Sequence, residues 1–294
     1  MKWLFFLLSI TSSFALAQKY QREGTGLIFP SDVANIDVVH VSGNSFRAYY
    51  MKSDGNIYSA LSSDDGSTFI EEGIRLAGQH PALLKLTDGR VRIYYTDGTT
   101  GDLLSSISDD GLTFTTEEGV RLAFGEPGKI IHPHIVSVPN GGYRMYYDQE
   151  DTESMVGFGK NILSLFSEDG LTFERENGVR IGKRTPGFAK LRKPGLFFSP
   201  FAIYKKGKVH LYFTTENDNK KKKSGVWIAK SKNGKKFTVL TKALGIDPAI
   251  TEPSPGPGGL TGNPQDTFII TTSTGGKRMY VWQAQEGIFS AIPK

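Results

Sequence analysis

The chain has 294 residues, of which 38% are hydrophobic and 12% aromatic, with 34 glycines and 14 prolines. This hydrophobic content excludes a disordered chain, and the many glycines and prolines favour short strands joined by turns over an all-helical fold. The absence of cysteine excludes disulfides, thiolate metal sites and a cysteine nucleophile. A net charge of +5 is too small for a dedicated nucleic-acid-binding protein, so no nucleic-acid partner is expected.

Residues 1–17 have the pattern of a secretory signal peptide. The segment opens with Lys2, continues as an apolar run to about Ala15, and ends in Ala-Leu-Ala at residues 15–17, a sequence that signal peptidase cleaves. The run is too short for a comfortable membrane span, and no later stretch approaches about 20 apolar residues. We therefore expect a secreted or periplasmic protein whose residues 18–294 form one domain.

A motif of arginine or histidine, one further residue and a pair of residues that begins with tyrosine recurs five times along the chain, and the pair is aromatic in the first four copies. Recurrence in a fixed order indicates an internal repeat rather than chance, and it sets the architecture. The copies are Arg47-Ala-Tyr49-Tyr50, Arg92-Ile-Tyr94-Tyr95, Arg144-Met-Tyr146-Tyr147, His210-Leu-Tyr212-Phe213 and Arg278-Met-Tyr280-Val281.

A second motif, with serine, an acid or amide, glycine and phenylalanine in fixed order, follows each of the first four aromatic pairs. Gly suits a left-handed turn position and Asp can hydrogen-bond to the local backbone, so we expect Asp65, Asp110 and Asp169 to be turn residues only. The copies are Ser63-Asp-Asp65-Gly66-Ser-Thr-Phe69, Ser108-Asp-Asp110-Gly111-Leu-Thr-Phe114, Ser167-Glu-Asp169-Gly170-Leu-Thr-Phe173 and Ser231-Lys-Asn233-Gly234-Lys-Lys-Phe237.

Each repeat is predicted to contain four short strands. In the second repeat these are residues 82–86, 90–95, 103–107 and 114–122, separated by turns rich in Asp and Gly. Four antiparallel strands in about 45 residues, repeated radially, form the blade of a propeller. Five repeats therefore predict an all-β protein, a single five-bladed β-propeller.

The fifth repeat lacks a fourth strand. It has candidate strands at residues 267–272, 278–282 and 288–291, after which the chain ends. The segment that starts at Arg22-Glu23-Gly24 resembles the Glu-Gly-Val-Arg-Leu strand that finishes the other blades. We predict that this N-terminal segment supplies the missing outer strand and so closes the ring without an exposed edge.

The serine-to-phenylalanine turns resemble the Asp-box of sialidases, shortened by one residue. Combined with the Arg-x-Tyr-Tyr strand, they are more similar to the five-bladed glycoside hydrolases of the arabinanase, xylosidase and fructosidase group, and the resemblance covers nearly the whole mature chain. It implies a carbohydrate ligand in the central funnel. It also implies catalytic carboxylates at the starts of the innermost strands: an Asp in the first blade, another Asp in an intermediate blade and a Glu acid in a later one, each beside a proline.

Only two of the five equivalent segments carry an acid here, so the carboxylate triad cannot be transferred residue by residue. A paired acid and base is what glycosidic cleavage requires. The segments are Ser31-Asp32 with Asn35, His80-Pro81, His132-Pro133-His134, Ser199-Pro200, and Asn263-Pro264-Gln265-Asp266.

Four uses of these funnel residues remain open. Asp32 can pair with Asp37 or Asp266 as a rearranged set of carboxylates. The three histidines at inner-strand starts can instead form a metal site with Asp32 or Asp266. They can also hydrogen-bond a sugar without catalysis, or simply make capping and core contacts beside the prolines.

The segment 244–264, rich in proline and glycine, links the fourth and fifth blades and is predicted to fold over the funnel mouth. Its acids are Asp247 and Glu252. The sequence Asp247-Pro248-Ala249-Ile250 also resembles the Asp-Pro-x-Ile start of an inner strand in the hydrolase group. If it takes that place, residues 267–272 need a different assignment and Asp247 becomes the best single catalytic carboxylate.

Two basic segments, residues 183–193 and 219–223, are predicted on the funnel-side face next to the fourth blade. Clustered positive charge would attract an anionic ligand such as an acidic polysaccharide, although solvated loop lysines are the simpler interpretation.

The preferred hypothesis is a secreted, monomeric, carbohydrate-active propeller without a cofactor. A noncatalytic glycan-recognition or adhesion module is the alternative, and a metal-dependent site using the funnel histidines is third. For hydrolysis, the predicted catalytic residues are Asp32 and Asp247, with Glu252 as an acid. The predicted ligand-binding residues are His80, His132, His134, Ser199, Asp266, Arg184 and Arg192.

Overall fold

The structure is a computed structural model that describes residues 20–24, 28–125, 129–139, 141–149, 159–187, 196–216, 225–240, 254–255, 261–262, 264–283 and 287–293. All the regular elements of these residues are β-strands, as predicted. Within the same ranges, no helix has the length and apolar character needed to cross a membrane.

Five four-stranded antiparallel sheets form the five predicted blades. The first strand of the chain, β1 (Tyr20–Arg22), belongs to the last blade, and the next sixteen strands form blades one to four in chain order. Their bounds are β2 (Val33–Ser42), β3 (Ser45–Lys52), β4 (Asn56–Ser62) and β5 (Ile70–Ala77); β6 (Gln79–Lys85), β7 (Val91–Thr96), β8 (Leu103–Ser108) and β9 (Thr115–Thr116); β10 (Ile130–Ser137), β11 (Tyr143–Gln149), β12 (Ile162–Ser167) and β13 (Glu174–Arg175); β14 (Leu196–Lys205), β15 (Lys208–Glu216), β16 (Gly225–Ser231) and β17 (Thr238–Val239).

Blade five joins the two ends of the described chain. Its strands are β20 (Pro264–Thr271), β21 (Lys277–Gln283) and β22 (Gly287–Pro293), and β1 pairs with β22 as the outermost strand, which confirms the predicted closure. Strand β20 is the innermost strand of blade five, so residues 267–272 keep their predicted place, while Asp247 and Pro248 lie outside the described residues. Between blades four and five, β18 (Ser254–Pro255) and β19 (Thr261–Gly262) form a short separate hairpin.

The innermost strands pack side by side around the axis in a closed cycle. Strand β2 contacts β6, β6 contacts β10, β10 contacts β14, β14 contacts β20, and β20 returns to β2. This cycle brings the starts of the five inner strands to one place.

The outer strands are shorter than predicted in blade two. Instead of a strand over residues 114–122, the chain pairs only at β9 and then at a single bridge between Leu103 and Leu122. Gly119, with a φ of 86°, lies between the two contacts, and this left-handed residue interrupts the strand.

The Arg-x-Tyr motif joins four of the five blades to the next blade. In blade one, the Tyr49 hydroxyl donates to the carbonyl of Gly111 in the blade-two turn at 2.7 Å, and Arg47 donates to the Asp110 carbonyl at 2.9 Å. The same tyrosine contact recurs from blade two to three, from three to four and from five to one. The repeat is therefore maintained by contacts between blades as well as within them.

Blade four has histidine in place of the arginine of this motif, and the way in which the ring closes explains the difference. Blade five has no Ser-x-Asp-Gly hairpin, because its outer strand comes from the N-terminus. An arginine at position 210 would thus have no turn carbonyl to contact, and His210 occupies that position.

The predicted turn role of Asp110 and Asp169 is confirmed. Asp110 accepts hydrogen bonds from the amides of Leu112 and Thr113, which lower the pKa of its carboxyl to about 2, and Asp169 has the same pattern. In blade one the turn is shifted by one residue, so Asp64 caps it, while Asp65 accepts from the amide and hydroxyl of Ser273 in blade five.

Candidate functional site on the propeller axis

Each inner strand carries a β-bulge near its start. In blade one, Ala34 pairs with Met51 and Asp37 with Tyr49, so the inner strand has one extra residue. A bulge of this kind re-aims a side chain, and in every blade the bulged residue has a left-handed φ. These five residues, here called the axial ring, are Asn35 (50°), His80 (53°), His132 (45°), Ser199 (51°) and Asp266 (46°).

The axial ring is held together by side-chain contacts among all five blades. The Asn35 amide donates to Asp266 at 3.0 Å, and its oxygen accepts from His80 Nδ1 at 2.7 Å. The Ser199 hydroxyl also donates to Asp266, and His132 Nε2 lies 3.6 Å from Asp266 Oδ1. The rings of His80 and His132 are 5.4 Å apart. One polar residue from each blade thus meets at the axis.

A buried ion pair supports the ring from blade three. Asp148 is 0% exposed and accepts hydrogen bonds from His132 Nδ1 and from the Ser199 amide, both at 2.9 Å. Burial raises the pKa of the Asp148 carboxyl. For His132, burial favours the neutral form, but the charges of Asp148 and Asp266 outweigh it and raise the pKa to about 9. His132 is therefore an imidazolium between two carboxyl groups at neutral pH.

A second polar layer lies two residues further along the inner strands. Asp37 is buried and accepts from the Val38 and Leu83 amides at 2.7 and 2.8 Å, yet burial still raises its pKa to about 7. His134 Nε2 donates to the Ala202 carbonyl at 3.0 Å, and burial lowers the pKa of this histidine to about 4. His134 is thus neutral, with its Nδ1 4.0 Å from Asp37.

A cavity of about 40 Å³ lies between these two layers. Asp37, His134 and Thr267 contribute polar groups to its lining, and the buried Thr267 hydroxyl has no hydrogen-bond partner among the described residues. The volume is suitable for ordered water and is too small for a sugar ring. A ligand as large as a sugar would therefore have to lie outside this cavity, above the axial ring, on the side where the inner strands begin.

Solved structures with the same architecture are glycoside hydrolases. A thermostable family-43 glycoside hydrolase superposes with a TM-score of 0.66 at 11% identity, over 89% of this chain and 88% of its own. An endo-1,4-β-xylanase from Bacteroides thetaiotaomicron gives 0.65 at 15% identity, over 90% and 95%. An endo-arabinase from the same organism gives 0.66 at 13% identity, over 92% and 97%. The fold of this chain is that of the glycoside hydrolase propellers.

No protein-family model and no curated protein matches the sequence. Identities of 11–15% establish the shared fold and leave the chemistry to this chain's own residues.

This glycoside-hydrolase-like propeller brings together four of the predicted ligand-binding residues. His80, His132, Ser199 and Asp266 all belong to the axial ring, whereas His134 lies in the layer below it. Arg184 is exposed on the outer surface, beside a groove between blades three and four.

The structure describes one of the three predicted catalytic residues, and this residue is not part of the ring. Asp32 lies in an exposed turn just before β2. Asp247 and Glu252 lie outside the described residues, as do Arg192 and the basic segment 219–223. Their proposed roles stay predictions.

Sequence reasoning missed Asp148. This residue directly follows an Arg-x-Tyr-Tyr motif, where the corresponding residues of the other blades are Met51, Thr96, Thr214 and Trp282. The sequence did carry a signal for Asp148, because it is the one acid at a repeat position that is uncharged in the other four blades. Asn35 was noted as the blade-one equivalent, but its part in the ring depends on a residue 231 positions away.

The histidines do not form a metal centre in the part of the chain that the structure describes. No group of three or more His, Asp or Glu side chains there is arranged to hold a metal ion. His132 Nδ1 is engaged by Asp148, and His134 Nε2 by a backbone carbonyl. The metal hypothesis therefore has no support from these residues.

Proposed function

We propose that this protein is a secreted carbohydrate-active propeller that binds a glycan above the axial ring. The observation that carries the proposal is the axial ring itself, a polar floor built from all five blades of a fold shared with a xylanase and an arabinase. The secretory pattern of residues 1–17 supports an extracellular or periplasmic ligand.

Asp266 is the ring residue best placed to contact the glycan. Its side chain keeps 10% of its surface exposed, whereas Asp148 has none. Asn35 and Ser199 fix the orientation of the carboxylate, whose remaining lone pairs can accept from sugar hydroxyls. His132 places a positive charge beside it.

Glycoside hydrolysis is the second candidate, favoured by the activities named for the similar structures. Cleavage needs two carboxyl groups that both reach the substrate, and fully buried Asp148 does not qualify. The partner of Asp266 would then come from Asp32, Asp247 or Glu252.

The test uses the mature chain, residues 18–294, with a panel of arabinan, xylan and acidic oligosaccharides, followed by calorimetry. We expect Asp266→Asn to weaken binding at least tenfold. The control Asp88→Asn makes the same substitution at an exposed turn and should leave binding unchanged. Equal binding by Asp266→Asn and the wild type, or no glycan bound by the wild type, would show the proposal to be wrong. Reducing-sugar release then separates hydrolysis from binding alone.

A further inference from the structure

Two adjacent concave surfaces on blade four are lined by cations. The first, of about 350 Å³, has Lys208, Lys230, Lys232 and Lys236 in its lining. The second, of about 540 Å³, lies between blades three and four and is lined by Lys183, Arg184, Lys235 and Lys236. Lys236 lines both, so the two concavities adjoin at this residue, and together they are here called the blade-four groove.

The repeat shows that these lysines are not needed for the turn that carries three of them. In blade four the Gly234 amide donates to Ser231 Oγ at 2.9 Å, and in blade two the Gly111 amide donates to Ser108 Oγ at 2.8 Å. The Asn233 side chain caps its turn as Asp110 does. The backbone geometry is the same, yet the outward-facing positions differ. Lys232, Lys235 and Lys236 correspond to Asp109, Leu112 and Thr113 in blade two and to Glu168, Leu171 and Thr172 in blade three.

Within the described ranges, most of this charge is not neutralised by neighbouring acids. Among the described residues, the ion pair made by a groove lysine is that of Lys235 with Glu176, at 2.8 Å. The nearby Arg180 is buried and donates to backbone carbonyls, so its role in the groove lining is structural. The pKa of His210 is lowered by burial and by the positive charges of nearby lysines, including Lys208 and Lys230, consistent with a locally positive potential.

We propose that the blade-four groove binds a linear acidic polysaccharide at a site separate from the axial ring. The cations are spread along two joined concavities rather than gathered at one point, which suits a polymer with repeated negative charges. Lysines are flexible point charges that do not demand a fixed bidentate geometry. A groove also fits a chain better than it fits a planar lipid surface, and Phe237 beneath it is too buried to stack on nucleic-acid bases.

The test measures binding of polygalacturonate to residues 18–294. The variant Lys208→Gln/Lys232→Gln/Lys236→Gln is expected to bind at least about tenfold more weakly, from roughly 0.5 kcal/mol for each exposed ion pair. The matched control Lys52→Gln/Lys85→Gln/Arg90→Gln loses the same charge from blades one and two and is expected to bind within twofold of the wild type. Raising the salt concentration should weaken the wild-type interaction.

The outcomes separate this site from the funnel. Unchanged binding by the groove variant, or equal loss in the control, would overturn the proposal. Loss of polygalacturonate binding in Asp266→Asn would overturn it as well, because it would place the ligand in the funnel. Retained binding in that variant supports the groove, whether or not the funnel binds a glycan. Binding to phosphatidylglycerol vesicles without binding to polygalacturonate would assign the surface to a membrane instead.

Discussion

Arg278 and Glu23, 255 residues apart in sequence, form a two-fold hydrogen-bonded ion pair across the closure of the ring, at 2.9 and 2.8 Å. Ser290 donates a further hydrogen bond to the same carboxylate at 2.9 Å. Arg47, Glu72 and Ser59 make the same arrangement within blade one. The N-terminal segment therefore supplies two features of the fifth blade: its outer strand and the carboxylate that corresponds to Glu72 of blade one.

Replacing Glu23 with glutamine should destabilise the protein by about 1–3 kcal/mol, between the values for exposed and buried pairs. The Arg278 side chain is 8% exposed and would lose its countercharge. The hydrogen bonds from Arg278 lower the pKa of Glu23, so its stabilising effect is present above the unfolded value and is lost as pH falls through the folded one. Denaturant unfolding of the two proteins across the acid range measures both effects.

Glu72→Gln is the matched control for the closure, because it breaks the same triad inside one blade. We expect a loss of stability there too, but only Glu23→Gln should increase protease cleavage near the N-terminus. Equal cleavage in both variants would contradict a special role of Glu23 in closing the ring.

Replacing His132 with glutamine should cost about 3–5 kcal/mol at neutral pH, because Asp148 would be left buried without a countercharge. The folded-state pKa of His132 is raised to about 9, so the charged histidine stabilises the wild type fully below about pH 6.5. That contribution is lost as pH rises toward 9. Urea unfolding at several pH values should show this fall in the wild type and in a His210→Gln control but not in His132→Gln.

The raised pKa of Asp37 predicts a second pH dependence of the folding stability, at lower pH than that of His132. Burial raises its folded-state pKa to about 7, so the unfolded chain releases this proton first as pH rises. The wild type should therefore lose stability between about pH 4 and 7, by up to about 4 kcal/mol. Asp37→Asn should lack this component, whereas Asp88→Asn should retain it. Parallel stability profiles of the wild type and Asp37→Asn would contradict the assignment.

Replacing a turn glycine that contacts the preceding blade should cost more folding stability than replacing another glycine with a left-handed φ. A Cβ on Gly111 (φ 72°) would lie 2.7 Å from both Arg47 Nη1 and the Tyr49 hydroxyl, while one on Gly89 (φ 94°) meets nothing within 4 Å. Both alanine variants lose about 1 kcal/mol from backbone strain, and Gly111→Ala should lose a further 1–3 kcal/mol from the clash. Equal unfolding midpoints for the two variants would show that the inter-blade contact tolerates the added methyl.

The sequence by itself determined the blades and their closure. Blades one to four are each local in sequence, so the repeated aromatic pair, the serine-to-phenylalanine turn and the alternation of strands with Asp and Gly turns appear as a readable pattern. The missing fourth strand of the fifth blade and the Glu-Gly segment near the N-terminus were enough to predict how the ring closes. Even the exception at His210 is visible in the sequence, although its cause is not.

Only the tertiary structure decided which of the chemistry-bearing residues meet. Asn35 and Asp266 are 231 residues apart and come into contact because bulges in different blades turn their side chains to one axis. The carboxyl groups of Asp148 and Asp266 then keep His132 charged, whereas burial keeps His134 neutral, although the two histidines are separated by one proline. Likewise, the lysines of the blade-four groove lie in separate segments, and the packing of blade three against blade four makes them one surface.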